Sequence, residues 1–403
     1  MIKSHTNYFV ITLVMLGFMW TGWHLYEYFF DTRLAMLTIE GIEENGYYAG
    51  DVPCVMRGYH PYKVSHLSVW LDGRPFVQSF RVNKRSCEYT YPICTTKLSN
   101  GPHTMRVELV DGTRLHQTVS LERVFCVDNT NLQISFVRAH AEGEKIFQGR
   151  TLHVQFQTSK PIKEATASFI NAVYSCFPES AHSTVYECFI PISCEEAPNE
   201  YMLGINATDF LGTSVQLERK VQIIGYPFKK QSLVVRPDKM KEEPAEAHAP
   251  DELEADLARL TAQSPAQKLW TGLFDIPLEV TGISTEFGVI RTTQERGKYA
   301  HKAVDLLARP RSVVWAAQNG VIALKSRYQH SGLTVVIDHG WGVLSLYYHL
   351  DSVTDKPVGE QVRKGSPIGT VGMTGYASGY HLHWELRVNN IPVDPLQWTV
   401  TGF

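Results

Sequence analysis

The chain has 403 residues, a formal net charge of −3 and seven cysteines, and its length indicates two to four domains. Hydrophobic residues make up 44% of it and charged residues 20%, which excludes a disordered or fibrous chain. The near-neutral charge balance excludes a broad basic face, so we expect no nucleic-acid partner.

The N-terminal region, residues 1–33, contains an uncharged apolar run from Tyr8 to Tyr26. As a helix this run would rise about 28 Å, close to the ~30 Å hydrocarbon core of a bilayer. A cleaved signal peptide is the alternative interpretation, but the run is longer than usual and no small-x-small cleavage motif follows it. We therefore predict a short tail and a single transmembrane signal anchor, with the rest of the chain periplasmic or extracellular.

All seven cysteines lie between Cys54 and Cys194, and the second half of the chain has none. They match no paired CxxC zinc pattern and are more typical of an oxidising compartment. Cys87 and Cys94 are near enough in sequence to close a small loop, as are Cys188 and Cys194, but spacing does not determine the pairing. The odd number leaves at least one thiol unpaired or bonded to another chain.

Residues 34–226 have the pattern of strands and turns. Two segments, HLSVWLDGRPF (66–76) and HTMRVELVDGTRLHQTVSLE (103–122), place Asp-Gly between β-rich runs, which is a hairpin signal. We predict two immunoglobulin-like β-sandwiches, one over 34–128 and one over 129–226. They would serve as spacers or, alternatively, bind a wall polymer or another cell-envelope protein.

Residues 227–268 are charged and interrupted by proline, which indicates a linker. A short helix is predicted within it, capped by Asp251, with Leu253, Leu257 and Leu260 on one face. Such an apolar stripe favours docking on a neighbouring domain. A pro-segment that covers an active site is the other hypothesis.

Residues 269–403 predict an antiparallel β domain without helix-length patterns. His381 and His383 are two apart on a predicted strand, so both point to the same face, with Cα atoms about 6.6 Å apart. One imidazole of such a pair can bind a metal ion while the other lies beside it. His330 and His339 have no such context, and we interpret them as structural.

His301 and Asp305 are four residues apart, a distance of about 13 Å on a straight strand. The segment between them must therefore be helical or bent if both residues bind one ion. Imidazole and carboxylate groups are both zinc ligands, and three protein ligands with one open position define a catalytic zinc site.

The region from about 283 to 398 resembles the lysostaphin/LytM-type zinc metallopeptidases, many of which cut peptide bridges in bacterial peptidoglycan. The resemblance covers a little over a quarter of the chain, in matching order and spacing. The matching segments are STEFG (284–288), HKAVD (301–305), VWAAQNGVI (314–322), IDHGWG (337–342), YYHL (347–350), VRKGSPIG (362–369) and GMTGYASGYHLHWE (372–385). One departure is Ala303, which replaces a glycine and would make a positive φ costly.

The resemblance implies one Zn²⁺ per chain, with His301, Asp305 and His383 as ligands and His349 and His381 as unligated catalytic imidazoles. It also implies a mostly antiparallel, duplicated-hybrid-motif-like domain with an open groove for a peptide. The predicted function is that of a membrane-anchored endopeptidase acting on peptidoglycan cross-links or stem peptides. A non-catalytic regulator of cell-wall hydrolases with the same fold is the alternative.

Overall fold

The computed structural model describes residues 2–137, 144–232, 249–293 and 297–403, without the side chains of 2–7, 250, 293 and 297. It confirms the predicted mainly β fold, with 52% strand and 12% helix. The chain divides into two compact units. The first comprises 1–131 with 210–213, and the second comprises 132–209 with 214–403.

The first unit begins with helix α1, Ile2–Phe30. Residues Tyr8–Phe30 are long and apolar enough to cross a membrane, and an 18-residue apolar window within that stretch is not buried inside the protein. Just after the helix, the Arg33 guanidinium donates to the Asp31 carboxylate at 2.6 and 2.8 Å. Charged groups therefore cluster at the C-terminal end of the apolar segment.

Six strands form the sheet of the first unit: β1 Met36–Glu40, β2 Tyr47–Tyr48, β3 Asp51–Leu71, β4 Arg74–Cys94, β5 Gly101–Asp111 and β6 Thr118–Val127. Their order is β1-β3-β5-β6-β2, and β4 also pairs with β3. Both predicted hairpins are confirmed, as β3–β4 and β5–β6. Asp72 and Gly73 join β3 to β4 with φ values of +52° and +72°, the left-handed backbone that a tight hairpin turn requires.

The second unit starts with eight strands: β7 Ile134–Phe136, β8 Glu144–Phe147, β9 Thr151–Thr158, β10 Glu164–Phe169, β11 Ala172–Pro178, β12 Val185–Pro191, β13 Glu200–Thr208 and β14 Ser214–Ile224. Their order is β7-β9-β12-β11-β10-β13-β14-β8. Alternate side chains of β9, β10, β13 and β14 turn inward and share one apolar core, which includes Phe156, Ala167, Ile205 and Val221. The immunoglobulin-like assignment stays a prediction, and the seven cysteines are all free thiols in this structure.

The predicted linker contains strand β15, Lys230–Ser232, and helix α2, Pro250–Gln263, while its residues 233–248 lie outside the described part of the chain. The prediction that Asp251 caps the helix is wrong. The cap position is Ala249, and Asp251 lies in the first turn, where a carboxylate still interacts favourably with the helix dipole. The leucine stripe of α2 docks on strands of the C-terminal domain, where it forms one apolar cluster with Leu324, Tyr328, Val336, Leu344, Leu346 and Tyr348.

The C-terminal domain contains β16 Gly282–Thr285, β17 Ile290–Thr293, β18 Gly297–Ala300, β19 Val304–Leu307, β20 Val313–Trp315, β21 Gly320–Tyr328, β22 Gly332–Asp338, β23 Val343–Val353, β24 Gln361–Val362, β25 Pro367–Val371, β26 His381–Val388 and β27 Ile391–Val393. The main sheet has the order β16-β19-β26-β23-β22-β21-β24, with antiparallel pairing throughout. A short helix that the sequence pattern did not predict, α3 Pro395–Val400, follows β27. Asp394 caps it by accepting a hydrogen bond from the Leu396 amide at 2.9 Å.

Candidate metal centre

Three neighbouring strands of the main sheet bring the predicted site together. Asp305 on β19 pairs directly with His383 on β26, and Tyr348 on β23 pairs with His383 from the other side. Directly paired residues on adjacent strands point to the same face of a sheet. The register therefore places the Asp305 carboxylate beside the His383 imidazole.

His301 lies in a bend between β18 and β19. A bend is one of the two backbone geometries predicted for this segment. Its amide donates to the Val289 carbonyl at 2.9 Å, and its carbonyl accepts from the Gly288 amide at 2.7 Å. Ala303 does not adopt a positive φ, and its side chain is fully buried. The replacement of the family's glycine at this position thus carries no backbone strain.

One donor atom from each of the three predicted ligands converges on a common point. His301 Nε2 lies 3.1 Å from Asp305 Oδ1 and 3.2 Å from His383 Nδ1, and the last two atoms are 2.9 Å apart. Ligand atoms about 2.0–2.1 Å from a tetrahedral zinc ion lie about 3.3 Å from each other. The donor types and their spacing fit one zinc ion with a small outward relaxation.

Arg291 on β17 holds the outer oxygen of Asp305. Its Nη2 donates to Asp305 Oδ2 at 3.0 Å and to the Thr285 hydroxyl at 2.8 Å. Burial alone raises the pKa of Asp305, but hydrogen bonds from His301 and His383 outweigh it and hold that pKa far below its usual range. Asp305 is therefore an anion at any physiological pH, with Oδ1 facing the other two donors.

Two groups fix the His383 ring from behind. The phenol ring of Tyr348 stacks on the imidazole with a centroid distance of 5.0 Å and an interplanar angle of 7°. Nε2, the nitrogen turned away from Asp305, lies 3.8 Å from Glu385 Oε2. Burial lowers the pKa of His383, but hydrogen bonds to Asp305 and Glu385 raise it to about 9.

His349 is held in a backbone conformation that is unusual for its residue type. Its φ is +60°, its amide donates to the Ser331 carbonyl at 2.8 Å, and its Nδ1 lies 2.8 Å from the Thr374 carbonyl oxygen. Since a carbonyl only accepts, Nδ1 carries the hydrogen and Nε2 keeps its lone pair. Burial, reinforced by the neighbouring His381 and His383, lowers the pKa of His349 to about 3.

His381 is oriented by the same device. Its Nδ1 donates to the Gly379 carbonyl at 2.8 Å, and its Nε2 lies 3.8 Å from Asp305 Oδ1. The rings of His381 and His349 are 4.9 Å apart between centroids. Two imidazoles with fixed Nδ1 hydrogens therefore flank the point on which the three donor atoms converge.

The remaining two histidines of this region lie elsewhere. His339 is fully buried, with Nδ1 2.6 Å from the Asn319 carbonyl oxygen and Nε2 2.8 Å from the Ser345 hydroxyl. Both of its nitrogens are used inside the fold, as its structural interpretation requires. The His330 ring packs near Tyr376, with a centroid distance of 6.4 Å.

The sequence patterns did not identify two positions that surround the predicted ligands. Arg291 had no recognisable signal, because its approach to Asp305 depends on where β17 lies beside β19. Glu385 belongs to the quoted HLHWE segment, and its spacing of two from His383 already placed it on the same face of a strand. That spacing could have indicated a role for Glu385 next to the site.

Residues 299–395 match the profile of peptidase family M23. Peptidoglycan DD-endopeptidase ShyC of Vibrio cholerae serotype O1 is 37% identical over 120 residues, which are 30% of this chain and 28% of ShyC. DD-carboxypeptidase/endopeptidase Mpg of Neisseria meningitidis serogroup B is 39% identical over 126 residues, 31% of this chain and 29% of Mpg. Murein hydrolase activator EnvC of Escherichia coli K12 is 35% identical over 105 residues, 26% of this chain and 25% of EnvC.

The chain spans less than a third of the length of each of these relatives. The matched region contains His301, Asp305, His349, His381 and His383. The C-terminal part of this chain, residues 299–395, is therefore a domain of peptidase family M23.

Proposed function

We propose that this chain is a membrane-anchored zinc metalloendopeptidase that hydrolyses peptide bonds in peptidoglycan cross-links or stem peptides. The convergence of His301 Nε2, Asp305 Oδ1 and His383 Nδ1 within 3.2 Å of one another is the observation that carries this proposal. Three such donors form an open site, in which a fourth position remains for water or substrate. The similarity to ShyC and Mpg supports peptidoglycan as the substrate class.

In this mechanism, bound zinc would supply an electrophile that polarises water and the scissile carbonyl. The chain's own residues position the groups around it. Asp305 contributes a fixed negative charge, and Arg291 keeps its outer oxygen from turning inward. His301 donates from Nδ1 to the Glu286 carbonyl, with the two atoms 3.2 Å apart, so its Nε2 lone pair faces the site.

His349 and His381 supply the proton-transfer groups. Each has its Nδ1 hydrogen held by a backbone carbonyl, so Nε2 accepts a proton from the attacking water or, once protonated, donates to the leaving amine. The low pKa of His349 favours its neutral form at physiological pH. A protonated imidazole beside the tetrahedral intermediate also stabilises the oxyanion.

The N-terminal helix supports the proposed location. Tyr8–Phe30 would cross the membrane once, leaving the β regions and the peptidase domain periplasmic or extracellular, where peptidoglycan lies. The two β regions between the anchor and the peptidase domain would act as spacers or contact another envelope protein. The DD-endopeptidase relatives favour a cross-link as the bond that is cut.

A non-catalytic regulator is the second candidate function, because the relative EnvC is named as a murein hydrolase activator. The complete set of three donors and two oriented imidazoles favours the enzyme. A domain that only binds a partner has no need of a fixed anion and two aligned proton carriers around one point.

The test is digestion of purified peptidoglycan by the full chain in detergent, followed by mass spectrometry of the released fragments. We expect new stem-peptide termini that disappear with a chelator and return with zinc. The His381→Ala variant is the matched control, because it retains all three predicted ligands. Bound zinc without any released fragment would favour the regulator.

A further inference from the structure

We propose that Glu254, on helix α2, is a positioning residue for the metal site. This inference rests on the proposed function in one respect, namely that His383 is a zinc ligand. Glu254 lies outside the matched family region, 129 positions before His383 in sequence. It reaches the site through a row of alternating charges that runs along one face of β26.

The row begins behind the His383 ring. Glu385 Oε2 lies 3.8 Å from His383 Nε2, and Glu385 Oε1 accepts from Arg387 Nε at 2.5 Å. The side chains of Glu385 and Arg387 are each 4% exposed. Residues 383, 385 and 387 follow the two-residue period of a strand, so their side chains lie side by side on the same face. A carboxylate buried this deeply requires a cationic partner to remain charged.

Glu254 completes the row from the helix. Its two carboxylate oxygens accept from Arg387 Nη1 at 2.7 Å and from Nη2 at 2.8 Å, a bidentate pair. Asn390 also accepts from Nη1, at 3.1 Å. Without Glu254, Nη2 loses the only acceptor that the structure describes for it, and the guanidinium is then free to turn. Its hold on Glu385, and through Glu385 on the His383 ring, would weaken.

A second, indirect link connects the same helix to the His383 imidazole. Leu253, Leu257 and Leu260 of α2 belong to one apolar cluster with Tyr348, the residue whose ring stacks on His383. Leu253 immediately precedes Glu254, so docking of the stripe fixes where the carboxylate lies. Helix α2 is therefore linked to His383 both through the apolar cluster that contains Tyr348 and through the ionic row.

The expected consequence is on metal affinity. Groups that orient a metal-binding imidazole through its second nitrogen change affinity about 10–100-fold when they are removed. Glu254 acts through two intermediate residues and its side chain is 61% exposed, so the effect should lie at the lower end, about tenfold.

The experiment is a zinc titration of the full chain in detergent against a competing chelator. We expect Glu254→Gln to raise the zinc dissociation constant about tenfold and Glu254→Asp to restore part of the loss. Arg259→Gln is the matched control, since it removes an ion pair with Asp256 on the same helix that does not touch Arg387. Thermal unfolding of each variant shows whether α2 stays docked.

Wild-type affinity in Glu254→Gln would overturn the positioning role, as would an equal loss in Arg259→Gln. Because the readout is binding, its failure differs from failure of the proposed function. A wild-type chain that binds zinc but releases no peptidoglycan fragments would refute the endopeptidase and leave the role of Glu254 supported. A wild-type chain that binds no zinc would overturn both.

An independent observation concerns two cysteines of the second β region, the sheet formed by strands β7–β14. Strands β11 and β12 pair Phe177 with Glu187 at the end of their ladder, and Cys176 and Cys188 are the residues next to this pair, one on each strand. Both side chains are buried in one apolar core, with exposures of 7% and 1%, and the neighbouring Cys176 thiol together with burial raises the pKa of Cys188. We infer that Cys176 and Cys188 form a disulfide when the chain folds in an oxidising compartment.

The reaction is a thiol–disulfide exchange. The two thiols release two protons and two electrons and form one S–S bond, while a small-molecule or protein disulfide is reduced to two thiols. Oxidation during folding is required, because both sulfurs are inaccessible afterwards. This pairing differs from the small Cys188–Cys194 loop that sequence spacing allowed.

The test is to isolate the full chain from membranes without reductant, alkylate it under denaturing conditions and map the peptides by mass spectrometry. We expect a linked peptide containing Cys176 and Cys188 and alkylation at Cys54. Cys54 is the matched control because it is equally buried but has the Met105 sulfur, 3.9 Å away, as its neighbour. Alkylation of both Cys176 and Cys188, or a Cys188–Cys194 link, would overturn the inference.

Discussion

Buried histidines have different surroundings in the first β region, which is the sheet β1–β6 of the first unit, and in the C-terminal domain. In the first region, His103 Nδ1 donates to the Asp72 carboxylate at 2.7 Å and His103 Nε2 donates to the Ser99 carbonyl at 2.7 Å, and His60 Nε2 donates to the Arg33 carbonyl at 2.9 Å. Each imidazole makes its hydrogen bonds separately from the other and stabilises the backbone around it. Among the described residues, neither His103 nor His60 shares its hydrogen-bond partners with another imidazole.

In the C-terminal domain, four imidazoles and one carboxylate lie close together at a single site. His301, His349 and His381 each use Nδ1 on a backbone carbonyl, and His383 directs Nδ1 at Asp305. One nitrogen of each ring is therefore directed to the same small volume. The contrast shows that function is indicated by the convergence of one nitrogen from each ring, whereas burial alone does not distinguish the two kinds of histidine.

The largest expected effect follows from removing one of the convergent donors. In His383→Ala we expect zinc content to fall to background and peptidoglycan hydrolysis to disappear, because two donors do not hold the ion. Metal analysis and fragment release measure the two effects. His103→Ala, which removes a buried histidine of the first region, should leave both unchanged, and a loss in that variant would contradict the distinction between the two regions.

The next effect separates the unligated imidazoles from the ligands. In His381→Ala we expect zinc to stay bound while the hydrolysis rate falls about 10²–10⁴-fold, the usual contribution of a general acid or base. Stoichiometric metal analysis and initial rates on purified peptidoglycan measure this. An unchanged rate would refute the assigned role of His381.

A smaller effect is expected at the residue behind Asp305. Arg291→Gln removes the charge that fixes Asp305 Oδ2, and we expect zinc affinity to fall about 10–100-fold. The chelator competition described for Glu254 measures it. Arg311→Gln is the control, because Arg311 is exposed and pairs with Asp351. Equal affinities in the two variants would contradict the role of Arg291.

The last prediction concerns His339, the fully satisfied histidine of the C-terminal domain. Burial lowers its pKa to about 4, whereas the unfolded chain titrates near its ordinary value of 6.5. Below pH 6.5 His339 binds a proton in the unfolded state but not in the folded state. The free energy of unfolding therefore decreases as the pH falls toward 4. The loss between pH 7 and pH 5 is about 2 kcal/mol.

Denaturant unfolding at the two pH values, compared between wild type and His339→Gln, isolates this contribution. The variant will be less stable at pH 7 because it loses packing, but its stability should fall less on acidification. A difference between pH 7 and pH 5 that is the same in both proteins would show that His339 does not remain neutral in the folded state.

Short sequence patterns were sufficient to predict the local structure, namely strand faces, hairpins and the N-terminal helix. The two-residue period of a strand placed His381 and His383 on one face, and Asp-Gly between β-rich runs specified the hairpins of the first region. The uncharged run after Tyr8 specified a helix of membrane-spanning length. These features follow from backbone periodicity and turn chemistry, which act between residues only a few positions apart.

Contacts between residues that are far apart in sequence depend on the tertiary structure. Asp305 and His383 are 78 positions apart and touch because β19 pairs with β26 in one particular register. Glu254 and Arg387 are 133 positions apart and meet because a leucine stripe docks α2 on the sheet. Strand register and helix docking depend on the summed packing of a whole core, and no short sequence pattern encodes that sum.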